Sequence, residues 1–184
     1  MAIEEPKYTV SVKADGYEVR DYQPTLVAET LIDGSFDDAG NRAFKILAGY
    51  IFGGNTSQTE IEMTAPVVQG KSEKIAMTAP VNLSKGPSGY WVQFTMPAKF
   101  NLQNLPKPND ARVLIREIPK RRVAVFSYSG SWSQARYNKK LAEFVSLLER
   151  DKVKTVGEPV FARFNSPFRV WFLRRNEIWL EVAQ

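Results

Sequence analysis

Two stretches of the chain are nearly the same: Ile61-Glu62-Met63-Thr64-Ala65-Pro66-Val67 and Ile75-Ala76-Met77-Thr78-Ala79-Pro80-Val81. Each sets a polarizable thioether three residues before a proline. Proline cannot donate to a sheet ladder, so each copy belongs at a strand edge, end or bulge. Paired strands there would bring Met63 and Met77 near one another. Such methionines either fill gaps in a core or give a soft rim to a large planar ligand. A third segment, Asn165-Ser166-Pro167-Phe168-Arg169-Val170-Trp171-Phe172, combines a turn, three aromatics and a cation. Acid-base chemistry has fewer candidates. Glu60 and Glu62 lie two apart on a strand and share a face, while Glu177 and Glu181 fall near the end of the chain.

The chain contains no Cys and no His among its 184 residues. That excludes disulfides, thiolate metal sites and thiol catalysis, together with the commonest metal ligand and the commonest general base near neutral pH. What remains is a binding protein, or an enzyme working with carboxylates, Tyr, Lys and Arg. The aromatic content is high, with 4 Trp, 7 Tyr and 11 Phe. Net charge is +5, which mildly favours anionic partners. The cations are scattered, as in Lys120-Arg121-Arg122, Lys139-Lys140 and Arg174-Arg175, so no nucleic-acid partner is expected. No apolar run reaches the roughly 20 residues of a membrane span, and the first residues lack a signal-peptide pattern. A cytoplasmic protein is expected.

These side chains need elements to position them. β-Branched and aromatic residues predict strands at 8–12, 17–22, 25–32, 60–63, 74–81, 90–96, 112–118, 122–128, 160–163, 169–173 and 178–182. Apolar recurrence at helical spacing predicts helices at 37–52 and 133–151. The first follows a Ser-Phe-Asp-Asp cap and stops at Gly53-Gly54; the second has Ser131 or Ser133 as its N-cap. The Pro- and Asn-rich stretch 97–110 reads as a connecting loop between halves at about 8–97 and 111–183. Those halves share one plan. Arg20-Asp21 answers Arg116-Glu117, Val27-Ala28 answers Val123-Ala124, and Gly34-Ser35-Phe36 answers Gly130-Ser131-Trp132, always 96 residues apart. Each half reads strand, strand, helix, strand, strand, and each can bury an apolar sheet face only against the other. One α+β domain follows: a pseudo-twofold antiparallel sheet, curled toward a barrel, with two helices outside it.

The helices differ. The second has one apolar stripe, Tyr137, Leu141, Phe144 and Leu148, with Val145 beside it. The first has the equivalent stripe, Gly40, Phe44, Leu47 and Ile51, and a second one, Ala39, Ala43, Ile46 and Tyr50. Its apolar arc approaches about 200°, against a little over 100° for a helix resting on one sheet. Arg42 borders the extra face, with Lys45 further round. That face is covered by a loop or the N-terminal strand, or forms a groove for a flat apolar ligand, or is a dimer contact.

Tyr17-Glu18-Val19-Arg20-Asp21-Tyr22, Gly34-Ser35-Phe36, the paired Met-Thr-Ala-Pro-Val segments and Arg174-Arg175-Asn176-Glu177-Ile178-Trp179-Leu180 together resemble the SOUL haem-binding protein family, over about residues 8–182. The resemblance implies duplicated βαββ units forming a distorted antiparallel barrel flanked by two α-helices. It also implies binding of haem b or another tetrapyrrole in an exposed groove beside the first helix. Carried over, the family's contacts fall on Ala43, Ile46 and Leu47 and on the loop 167–171, which includes Phe168, Arg169 and Trp171. Arg42 and Arg169 are candidates to meet the propionates. Tyr50, Met63 and Met77 complete the candidate site. No metal ligand set is expected, because without His or Cys any iron bond must come from Met, Tyr, Lys or water. The chain also resembles, more distantly, bacterial effector-binding domains that hold hydrophobic cations. The leading expectation is a tetrapyrrole carrier or buffer, monomeric or weakly dimeric. A sensor of amphipathic cations would need a carboxylate inside the barrel, at Glu177 or Glu181. An enzyme acting on tetrapyrroles or on another bound ligand would use Glu and Tyr as acid-base groups, with Glu60 and Glu62 as a candidate pair.

Overall fold

A computed structural model describes residues 3–58, 72–165 and 170–183. In chain order the elements are β1 (Tyr8–Lys13), β2 (Glu18–Tyr22), β3 (Thr25–Asp33), α1 (Phe36–Ile51), β4 (Asn55–Thr56), β5 (Val81–Lys85), β6 (Gly89–Thr95), β7 (Lys107–Pro108), β8 (Leu114–Ile118), β9 (Arg121–Ser129), α2 (Gln134–Arg150), β10 (Thr155–Arg163), a 3₁₀ turn (Trp171–Leu173) and β11 (Arg175–Val182). Nine strands form one antiparallel sheet in the order β1-β2-β9-β11-β10-β5-β6-β3-β8, and β4 pairs with β7 apart from it. The series β2-β9-β11-β10 is answered by β8-β3-β6-β5, so a local twofold relation falls between β10 and β5. β2 pairs with β9 and β8 with β3, so each repeat lends its first strand to the other.

Local chemistry sets the helix ends. Ser35 caps α1, its side chain accepting from the Asp38 amide, and Asp37 and Asp38 in the first turn suit the helix dipole. Beyond the C-cap Phe52, Gly53 takes φ +123°, a left-handed conformation that only glycine adopts without strain. Ser133 caps α2 in the same way, so of the two expected serines the second is the cap. The Gln134 amide donates to Asp37 Oδ1 at 3.0 Å and ties the two helix starts together.

Alternation along the strands makes two buried layers. Ala28, Val92, Phe94, Ala124, Phe126, Phe161, Ile178 and Leu180 lie in one cluster with the helix residues Phe36, Ala43, Leu47 and Phe144. The opposite sheet face carries Tyr22, Val123, Val125, Ala162, Phe164 and Trp179, which are also buried although no helix covers them. The sheet therefore curls over its own second face. That inner face is unusually polar, with Arg20, Glu29, Asn82, Gln93, Thr95 and Glu177 buried on it.

Two expected strands are absent. The segment expected at 74–81 makes only an isolated bridge at Thr78, and the strand begins at Val81, just past Pro80. Proline lacks the amide a ladder needs. The strand expected at 169–173 is instead the 3₁₀ turn over its described residues. The strand expected at 60–63 lies outside the described residues.

Candidate functional site

On the inner face β11 brings Glu177 into line with Arg20 of β2. Glu177 is fully buried. Its carboxylate accepts from Arg20 Nη1 at 3.1 Å, Trp179 Nε1 at 2.7 Å, Arg175 Nη2 at 2.9 Å and Ser127 Oγ at 3.3 Å. Burial works against the Arg20 charge, but Glu177, Tyr22 and Glu18 outweigh it and raise the Arg20 pKa. Burial first, then Glu177, raises the Tyr22 phenol. This is a closed set: every charge has a partner. Glu181, by contrast, lies exposed near the end of the same strand.

On the other side of the sheet, α1 rests on β3 and β6. The loops beside it close over its second apolar stripe. The Ile75 amide donates to Ile51 O at 2.8 Å, Tyr50 Oη donates to Pro106 O at 2.7 Å, and Ile75 and Leu105 join the core. Burial raises the Tyr50 phenol. What stays open on this flank is a depression of about 760 Å³ whose rim includes Asp33, Arg42, Lys45, Ile46, Gly49 and Arg112. Its volume lies within the usual range for ligand sites, and its rim mixes Leu31, Ile32, Ile46 and Tyr50 with the charged Asp33, Arg42, Lys45, Asp110 and Arg112. Arg42 Nη1 donates to Asp33 O at 2.5 Å, and Arg112 is held by Asp110 at 2.6 Å.

The opposite flank of α1 carries Gly40, about 160° round the helix from Arg42. There the Arg163 guanidinium takes the space that a side chain at position 40 would fill: a Cβ on Gly40 would lie 2.5 Å from Arg163 Nη1. Arg163 is ringed by Phe36, Trp132 and Phe161, with centroids at 5.8, 5.1 and 5.0 Å. Burial pushes its pKa down to about 10, so it stays charged at neutral pH. Arg174 lies over the other approach to Trp132, 4.3 Å from its centroid. Next to Arg174 comes the 3₁₀ turn, where Val170, Trp171, Phe172 and Leu173 are 50, 55, 56 and 54% exposed. Trp171 and Phe172 meet edge to face at 5.5 Å. Four consecutive apolar side chains turned to solvent form an interaction surface rather than scattered exposure.

A sequence model of the SOUL heme-binding protein family matches residues 3–181. The chain belongs to the SOUL family. It is 28% identical over 186 residues to heme-binding protein 2 of Mus musculus, covering 97% of this chain and 86% of that one. To heme-binding protein 2 of Homo sapiens it is 30% identical over 170 residues, covering 89% and 77%. Among solved structures, the EcmrR C-terminal domain superposes with a TM-score of 0.63 at 10% identity, covering 96% of this chain and 98% of that domain. A hydrolase from Listeria innocua gives 0.56 at 9%, covering 94% of each. At such identities the structures show a shared fold.

In this SOUL chain the residues expected at the site divide. Ala43, Leu47 and Tyr50 are buried in the core, so they can support a ligand surface only from beneath. Arg42 and Ile46 line the depression on one flank of α1, with Tyr50 behind them. Trp171 stands on the exposed turn, three residues before Arg174, which lies over Trp132. Met77 is 41% exposed just before the bridge at Thr78. Met63, Phe168, Arg169, Glu60 and Glu62 lie outside the described residues. Arg163 and Trp132 were not among the expected residues. The signal for Arg163 was its place two residues after Phe161, which puts a cation on the helix-facing side of β10. Among the described residues no group of three or more acidic side chains could hold a metal ion, and no helix is long and apolar enough to cross a membrane.

Proposed function

We propose that this protein binds haem or another tetrapyrrole on the Gly40 flank of α1, against the turn 170–173, and acts as a carrier or buffer. The observation that carries this reading is the exposed run Val170-Trp171-Phe172-Leu173, in a chain of the SOUL heme-binding family. A flat aromatic ring is the ligand such a surface suits, and Trp132 and the Arg163 cage extend it toward the helix. With no His or Cys in the sequence, contact with the ring rests on packing and charge. Burying about 300 Å² of apolar porphyrin surface at ~25 cal/mol/Å² contributes roughly 7 kcal/mol before association costs. One or two charge-assisted hydrogen bonds to carboxylates add about 1.5–3 kcal/mol each. Those sums support micromolar affinity, which suits a protein that releases its cargo.

Binding of amphipathic cations is the weaker reading. It needs an inner carboxylate with room for a guest, and Glu177 already has Arg20 and Arg175 as partners.

The test is a hemin titration followed at the Soret band, run beside protoporphyrin IX. Both should bind with similar micromolar affinity. The double variant Trp171→Ala/Phe172→Ala should bind each at least tenfold more weakly with an unchanged Tm, since both side chains are exposed. Ile46→Trp, across the helix, should bind like the parent. Hemin binding no tighter than to an unrelated protein of equal charge would overturn the proposal. A loss in Ile46→Trp with none in the double variant would move the site to the other flank.

A further inference from the structure

The helix-facing layer contains three enclosed polar atoms with no hydrogen-bond partner: Tyr128 Oη, Arg136 Nε and Arg163 Nε. They belong to one place. Tyr128 of β9 and Arg163 of β10 are the direct cross-strand neighbours of Asn176, on either side of it in β11. Arg136, in the first turn of α2, reaches back to donate from Nη2 to Ser129 O at 3.1 Å. Burial raises the Tyr128 phenol, and both guanidinia pull the other way, which puts all three groups within electrostatic reach of each other. Asn176 cannot satisfy them. Its Oδ1 accepts from Trp132 Nε1 at 2.7 Å and its Nδ2 donates to Gly130 O at 3.1 Å.

The cluster is rich in donors, and no carboxylate hydrogen-bonds to them among the described residues. Among the described residues neither Arg136 nor Arg163 makes an ion pair with any carboxylate. Asp37 acts on Arg163 only at a distance, its Oδ1 being taken by the Gln134 amide. The aromatic cage supports the Arg163 charge through its ring faces but offers no acceptor to the guanidinium. Enclosed donors without an acceptor are costly, and a bound anion is one of the partners that satisfies them. The backbone makes space for both cations: a Cβ at Gly40 would collide with Arg163, and one at Gly130 with Arg136. Tyr128 is more than nine-tenths buried, whereas Arg163 is half-buried and gives an anion a way in.

We infer that Tyr128, Arg136 and Arg163 form a carboxylate-binding site, filled by a propionate of a tetrapyrrole lying on the turn 170–173. This rests on the tetrapyrrole reading for the source of the carboxylate; the chemistry of the site is that of any carboxylate.

The experiment compares hemin with hemin dimethyl ester, whose propionates are blocked. The parent should bind hemin at least tenfold more tightly than the ester. Arg163→Met should bind hemin no better than the ester and keep a Tm close to that of the parent, because it removes a cation that no carboxylate hydrogen-bonds. Tyr128→Phe, which deletes one hydroxyl, should shrink the preference severalfold at constant Tm. It decides the matter if Arg163→Met folds poorly. Equal binding of hemin and ester by the parent overturns this inference and leaves the tetrapyrrole reading standing. If neither porphyrin binds, the tetrapyrrole reading falls and sodium acetate decides the site. A Tm that rises with acetate in the parent but not in Arg163→Met assigns the site to a free carboxylate, and no rise overturns it.

Discussion

Two polar clusters sit back to back on β9 and β11, built from nearly the same side chains. On the inner face Arg20, Arg175, Tyr22 and Trp179 gather round Glu177. On the helix-facing side Arg136, Arg163, Tyr128 and Trp132 gather round Asn176. Glu177 and Asn176 are consecutive, so alternation along one strand sends a carboxylate to one face and a carboxamide to the other. The carboxylate closes its cluster, with two guanidinia, an indole and a hydroxyl donating to its oxygens. The carboxamide is spent on Trp132 and Gly130, and the donors around it are left open. Two pairs of arginines thus serve different ends: Arg20 and Arg175 neutralise Glu177, and Arg136 and Arg163 form the proposed site for a carboxylate from outside.

Breaking the closed cluster should have the largest effect. Arg20→Met leaves Glu177 buried with less compensation. Removing one member of a buried pair costs about 3–5 kcal/mol, and the low end applies because Arg175 and Trp179 remain. At about 3 kcal/mol, Tm should fall by roughly 6–12 °C in thermal unfolding, and hemin binding below the transition should be unchanged. Arg163→Met should show the reverse, with affinity lost and stability kept. If both variants lost stability alike, the two clusters would be equivalent and the contrast would fail.

The arrangement of strands was legible in the sequence because the repeat is. Arg20 answering Arg116 and Val27-Ala28 answering Val123-Ala124 give the pairs β2/β8 and β3/β9, which hold equivalent places in the sheet. Ser35 and Gly53 mark the ends of α1 as capping chemistry requires. The site was harder to read. Ala43, Leu47 and Tyr50 are the residue types of a groove and equally of a core, and Leu105 and Pro106, which pack beside them, come from the stretch 97–110 that reads as a loop. The strand expected at 74–81 stops at Val81, where β5 begins, and Asn82 of β5 points into the buried inner face of a curled sheet. A lone arginine at the end of a strand looks like a surface charge. Only the register of three strands sets Arg163 beside Asn176 and Tyr128.

A second arginine–glutamate pair lies nearer to water. Arg116, the repeat partner of Arg20, donates to Glu29 from Nε at 3.0 Å and from Nη2 at 2.9 Å, but half of its side chain is in solvent. Arg116→Met should lower Tm less than Arg20→Met in the same melt, because water reaches Arg116 and Gln93 still donates to the buried Glu29 carboxylate. Weaker still in energy is Asp110 with Arg112 on the rim of the α1 depression. Side-chain and backbone hydrogen bonds from Arg112 hold the Asp110 carboxyl at about 2. A depressed carboxyl contributes its stability above the unfolded value near 4 and loses it as pH falls toward 2. Arg112→Met should therefore raise the Asp110 carboxyl toward the ordinary carboxylate range in an NMR titration, the backbone amide at 112 still donating to it, with no detectable change in Tm at pH 7. An exposed pair moves a titration without moving the fold. If Arg112→Met lowered Tm as much as Arg20→Met, burial would not be what separates these pairs.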